Sequence, residues 1–146
     1  MTNPTAPAAG RKGILLCFSH LRWHFVYQRP QHLLSRAAKD YQVYFIEEPV
    51  FVDEPAPQSP RLSSPSKSVT VVVPFISESR RDDAVKLQRD VVAGLTSRHP
   101  QADILTWYYT PMALPFTEDV DASVVVYDCM DELSGFLGAP PELVEL

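Results

Sequence analysis

Five runs of consecutive apolar residues punctuate the chain, and two stretches between them carry apolar residues at helical spacing. Gly13–Ser19 (GILLCFS) is the first run, and an unbroken apolar run of this kind marks a strand buried on both faces. Gln42–Glu48 (QVYFIEE), Val69–Val73 (VTVVV), Ala102–Thr110 (ADILTWYYT) and Ala122–Tyr127 (ASVVVY) repeat the pattern. Between the first two runs, Pro30 suits the first turn of a helix, and Leu33, Leu34, Ala37, Ala38 and Tyr41 recur on one face. Between the third and fourth, Ser79-x-x-Asp82 has the form of a capping box opening a second helix, whose buried stripe is Ala84, Leu87, Val91, Val92 and Leu95. Arg61–Ser64 reads as a short edge strand folding back on the third run. The order β-α-β-β-α-β-β predicts an α/β fold with an open, mostly parallel sheet and helical crossovers. Ligands of such sheets bind beyond the carboxyl ends of the strands. Pro49, Pro74 and Pro111 mark three of those ends.

Composition adds punctuation. There are 14 Pro and 5 Gly in 146 residues, roughly twice and half the usual shares. Five of the prolines fall in 49–68, a loop between the second and third runs. A loop of about 20 residues is unusual inside a compact domain and is normally functional or disordered. Residues 1–12 read as a flexible leader and 13–146 as one domain. Pro140–Leu146 (PPELVEL) reads as the opening turns of an amphipathic helix, so the domain is expected to be the front portion of a longer protein.

The net charge is −5, but residues 1–46 carry +5 and residues 102–146 carry −9, with no Lys or Arg. An acidic chain lacks the broad basic surface that nucleic acid requires. The basic first third leaves room for an anionic substrate or peripheral contact with a lipid headgroup. Cys17 and Cys129 stand far apart in apolar runs and match no zinc spacing. Buried free thiols in a reducing compartment fit best. No signal peptide and no apolar run of membrane-spanning length is visible, so the expected location is cytoplasmic.

Polar residues collect where the strands end: Ser19, His20, Trp23, His24, Gln28 and Arg29 after the first, Glu47 and Glu48 after the second, Tyr109 and Thr110 after the fourth, Asp128 and Asp131 after the fifth. A crevice carrying His and carboxylates supports general-base chemistry. Each residue also has a structural alternative. His20 could deprotonate a hydroxyl or satisfy loop backbone. Glu47 and Glu48 could contact substrate hydroxyls, or be one solvated acid and one bridging acid. Asp128-x-x-Asp131 could bind a metal-nucleotide, or Asp131 could cap a helix. Trp107, Tyr108 and Tyr109 could stack on a sugar or form core and rim. His20 and His24 would share a metal only on a helix, and no metal is expected. The absence of GxGxxG after the first strand disfavours a nicotinamide or flavin enzyme, and no GxxxxGK[ST] or GxSxG is present.

Ser19–Leu34 (SHLRWHFVYQRPQHLL), Trp107–Phe116 (WYYTPMALPF) and Val124–Phe136 (VVYDCMDELSGF) resemble the N-terminal half of GT-B-fold, group 1-type bacterial glycosyltransferases. The resemblance runs from about Gly13 to Leu146 and is weakest in 49–68. The family often carries Asp at the position of His24, and many members have a Gly-rich loop after the first strand that this chain lacks. The resemblance implies a Rossmann-like acceptor-side domain, with a C-terminal domain supplying most of the nucleotide-sugar site. It implies sugar transfer to a hydroxyl of a glycan or lipid-linked acceptor, no cofactor, and an isolated chain that is inactive. Under that expectation His20 and Asp128 are catalytic, Arg22 and Arg29 supply positive charge near the leaving diphosphate, and Trp23 and Tyr109 pack against sugar. Gln28 and Asp131 complete the substrate contacts. The alternative is a non-catalytic α/β binding or scaffold module.

Overall fold

The computed structural model describes residues 13–25, 29–53 and 55–128. Six strands form the main sheet: β1 (Gly13–Ser19), β2 (Tyr41–Glu47), β4 (Arg61–Ser66), β5 (Val69–Val73), β7 (Ile104–Tyr108) and β8 (Val124–Tyr127). Two short ones, β3 (Val50–Val52) and β6 (Phe75–Ser77), lie outside it. The main sheet runs in the order β4-β5-β2-β1-β7-β8. All neighbours in it pair in parallel except β4 on β5, which is antiparallel. The helices α1 (Arg29–Ala37) and α2 (Ala84–Ser97) provide the crossovers β1 to β2 and β5 to β7. The protein is thus α/β, with a mostly parallel mixed sheet and a helix on each face.

β1 is central because every one of its seven residues is buried. Its alternation feeds two cores. Ile14, Leu16 and Phe18 join Tyr44, Ile46, Val72 and the α2 residues Val92 and Leu95. Leu15 and Cys17 join Val43, Phe45, Val71 and the α1-side residues Leu34 and Ala38. A strand contributing to both layers needs apolar residues at every position, which is why GILLCFS carries no alternation. Gly13 sits where a side chain would be tight, and its neighbours would have to give by a few tenths of an ångström. A Cβ there would meet Tyr41 Cε1 at 3.1 Å and the Asp103 carbonyl at 3.2 Å.

Several expectations need correction. Pro49 and Pro74 do mark the ends of β2 and β5, as expected, but two short strands that the sequence pattern does not show follow directly after them. These, β3 and β6, form a separate two-stranded parallel sheet. Proline lacks a ladder donor, but its fixed φ is compatible with extended backbone. Ser79 and Asp82 do not open α2. Both lie in a 3₁₀ segment, Glu78–Asp83, preceded by Ser77, which makes no side-chain cap. Arg81 explains the tighter turn: it bonds Glu78 at 2.9 Å and lies 3.7 Å over the Phe51 ring. Tyr41 belongs to β2 rather than to the face of α1. The fourth and fifth runs are trimmed to Ile104–Tyr108 and Val124–Tyr127, and Pro111–Phe116 forms a second 3₁₀ segment capped by Thr110. The edge strand expected at Arg61–Ser64 is present and extends to Ser66. The readings for residues 1–12 and 140–146 lie outside the described residues.

The chain builds outward from β1 through β2 to β5, then crosses back to β7 and β8 on the other side. The direction of winding reverses between β1 and β7. A crevice opens at such a reversal, beyond the carboxyl ends of the strands.

Candidate functional site

Two polar assemblies occupy this end of the sheet. The first secures the loop after β1. Ser19 Oγ accepts the Leu21 N–H at 2.9 Å and turns the chain out of the sheet. Glu47 ends β2, level with Ser19 in register, and is buried. Its Oε2 accepts the Trp23 backbone N–H at 2.9 Å and its Oε1 accepts from Arg22 Nη1 at 3.0 Å. Arg22 Nη1 also donates to the Glu48 carbonyl at 2.7 Å. From α1, Gln31 Nε2 donates to the Trp23 carbonyl at 2.9 Å. The Trp23 residue is therefore held through both its N–H and its carbonyl. Its indole is buried, edge-on to Phe45 with ring centroids 5.1 Å apart.

The second assembly lies across β7 and β8. The Asp128 N–H donates to the Tyr108 carbonyl at 2.9 Å, continuing the ladder one residue past β8 and setting Asp128 alongside Tyr109. Asp128 is buried, and its Oδ1 bonds Arg29 Nη2 at 2.8 Å. Arg29 enters at the first position of α1 with 57% of its side chain exposed. One face of the pair is thus core and the other is solvent. Asp128 Oδ2, Tyr109 Oη and Trp107 Nε1 are buried and lie close together: none meets strict hydrogen-bond geometry with another described residue, yet the Tyr109 phenol feels both Asp128 and Trp107 as hydrogen-bond partners. Trp107 and Tyr109 are two apart near the end of β7, so they share a face, with rings 6.3 Å apart. An unsatisfied buried polar atom costs about 1–3 kcal/mol. The three groups act on one another, so a polar ligand that reached them would exchange these internal contacts for its own.

The electrostatics are one-sided. Burial, and then the nearby Cys17 and Asp128, push the Tyr109 phenol well above its ordinary value. It remains a protonated donor. Burial and the Asp128 charge likewise push the Cys17 thiol up, so Cys17 is a free, buried and neutral thiol.

In strand order β2-β1-β7-β8, His20 stands between the two assemblies, half-buried at the end of β1. The structure brings Arg29, Tyr109 and Asp128 together. Arg22 and Trp23 join Glu47 in the loop clamp, and the Trp23 ring belongs to the same core cluster as Tyr109. His24 is exposed. Gln28, Asp131 and Cys129 lie outside the described residues. Sequence reasoning left Trp107 undecided between core and sugar contact. The available signal was its two-residue spacing from Tyr109 on a strand. Cavities of about 550 and 430 Å³ among the described residues lie away from this cluster. Among the described residues no group of three or more His, Cys, Asp or Glu is placed to hold a metal ion. No described helix is long and apolar enough to cross a membrane. No family model, curated protein or solved structure matches the chain.

Proposed function

We propose that this chain is the Rossmann-like, acceptor-side domain of a GT-B-fold glycosyltransferase of the group 1 type. The complete enzyme moves a sugar from a nucleotide-sugar donor to a hydroxyl of a glycan or lipid-linked acceptor, in the cytoplasm or at a membrane surface. The donor site belongs mainly to a second domain, and the chain alone is inactive. The observation that carries the reading is Asp128. One carboxylate oxygen is fixed by Arg29, and the other is buried beside the protonated Tyr109 phenol, with which Asp128 interacts. A carboxylate so placed can accept the hydrogen bond of an incoming hydroxyl and orient it for attack. Proton removal then falls to Asp128 or to His20, which follows β1 two strands over in the sheet. Arg29, more than half exposed, supplies positive charge toward a leaving diphosphate. The loop clamp at Glu47 holds the His20–Trp23 segment against the sheet while this happens.

The alternative reading is a non-catalytic binding or scaffold module. The test is sugar transfer from a panel of nucleotide sugars by the natural polypeptide that contains this chain. Asp128→Asn and His20→Ala are expected to lower kcat/KM, by about 100- to 10,000-fold for whichever is the base. Arg29→Gln is expected to lower kcat more than it raises KM. Normal transfer by all three variants, with folding intact, refutes the assignment. Absence of transfer from every donor by the wild-type polypeptide favours the scaffold.

A further inference from the structure

The larger cavity lies on the α2 side and shares no residue with the crevice. It is a groove of about 550 Å³ between the Pro55–Pro60 segment, β6 and α2. Its floor is apolar: Ile76 and Leu95 are buried, with Leu87 and Val91 beside them. A groove of this size falls in the range that holds a small molecule.

Three features make it a built site. Its outer wall is fixed, because Ser77 Oγ accepts the Ala56 N–H at 2.8 Å, and Pro55, Pro57 and Pro60 restrict the remaining backbone freedom. A wall ordered beforehand lowers the entropy cost of binding. The helix wall is open at Gly94, where an added Cβ would meet no atom within 4 Å. The charges at the groove are unbalanced. Asp90 is engaged by Lys86 Nζ at 3.3 Å and Arg80 is loosely held by Asp83 at 3.4 Å. Arg98 makes no side-chain hydrogen bond or ion pair among the described residues.

We infer that this groove binds a small amphiphile, with its apolar body against Ile76, Val91 and Leu95 and one anionic head group at Arg98. The groove rim carries Arg80 and Arg98 against one carboxylate, Asp90, and Arg98 is exposed and open to an anion, so a cationic head is disfavoured and a neutral one gains nothing from Arg98. The head is a carboxylate or a phosphate, both of which match a guanidinium fork. The inference is independent of the transferase reading.

The test is calorimetric titration of the chain with octanoate, octyl phosphate and octanol, which share one eight-carbon body. Saturable 1:1 binding of an anionic ligand is expected, at least ten-fold tighter than octanol. Whichever anion binds more tightly identifies the head group, and either supports the inference. Arg98→Gln is expected to reduce anion binding to the octanol level. Gly94→Leu, which places a side chain in the groove, is expected to abolish binding with the melting temperature kept or raised. If that variant melts lower, Leu87→Trp serves the same purpose. Val125→Ser, on the opposite edge of the sheet, is expected to change nothing. The inference is overturned if octanol binds as tightly as the anions, if filling the groove leaves binding intact, if Val125→Ser abolishes binding, or if no ligand binds saturably.

Discussion

Replacing Glu47 by Ala removes two acceptors at once, and their unequal settings fix the expected loss. The Trp23 backbone N–H is buried and would be left without its carboxylate, a loss of about 1.5–3 kcal/mol for a hydrogen bond to a charged group. Arg22 is 41% exposed, so its half of the interaction is screened and contributes about 0.2–1 kcal/mol. The backbone contact dominates, and the expected total is about 2–3 kcal/mol. Glu47→Gln keeps one acceptor and should lose about half of that. Urea denaturation measures it. At an m value of about 1–3 kcal/mol/M, Glu47→Ala should lower the midpoint by roughly 1–2 M with m unchanged. A double-mutant cycle with Arg22→Ala should return a coupling of no more than about 1 kcal/mol. A Glu47→Ala midpoint within error of wild type refutes the clamp. So does a cycle that assigns most of the loss to Arg22.

Gly94→Ala should stabilise the protein by about 0.5–1 kcal/mol, because the position is mid-helix, exposed and open around the new Cβ; a melting curve checks it. Tyr109 should make the protein alkali-sensitive. Its folded-state pKa is raised, so above about pH 10, where an unfolded tyrosine ionises, the unfolded chain loses a proton that the native chain keeps, and stability falls. Tyr109→Phe should match wild type near pH 7 and decline less between pH 10 and 11, as read by urea midpoints; identical slopes would remove the phenol from the account.

The strands were legible because sheet burial writes itself into consecutive residues. Gly13–Ser19 needs no partner to be recognised. The short pieces were not legible. VFV and FIS are too brief to outweigh the prolines before them, and only their pairing across 25 residues gives them a reason to be extended. The capping box failed for a related reason. Ser79 and Asp82 have the right spacing, but Arg81 finds Glu78 and the Phe51 ring, and that long-range contact decides the local turn. For the site, the positions were readable and the partners were not. Glu47, Asp128, Arg29 and His20 each lie at the end of an element, which the strand pattern shows. That Glu47 reaches the backbone of Trp23, and that Asp128 takes Arg29 from a helix 99 residues earlier, depends on strand order alone.

β8 has a consequence for handling and for assembly. It is a parallel strand of sequence VVVY, yet Val124, Val125 and Tyr127 are 49%, 63% and 46% exposed, and no described strand pairs with its outer edge. An apolar open edge is a template for unwanted strand addition. Asp119 and Asp121 are exposed nearby, Asp119 within 3.7 Å of Arg89 Nε, and the chain's net charge of −5 guards the edge against self-association. That guard weakens as the net charge disappears near pH 5.3. The colloidal behaviour of this molecule is therefore governed less by its well-packed centre than by four residues at its rim.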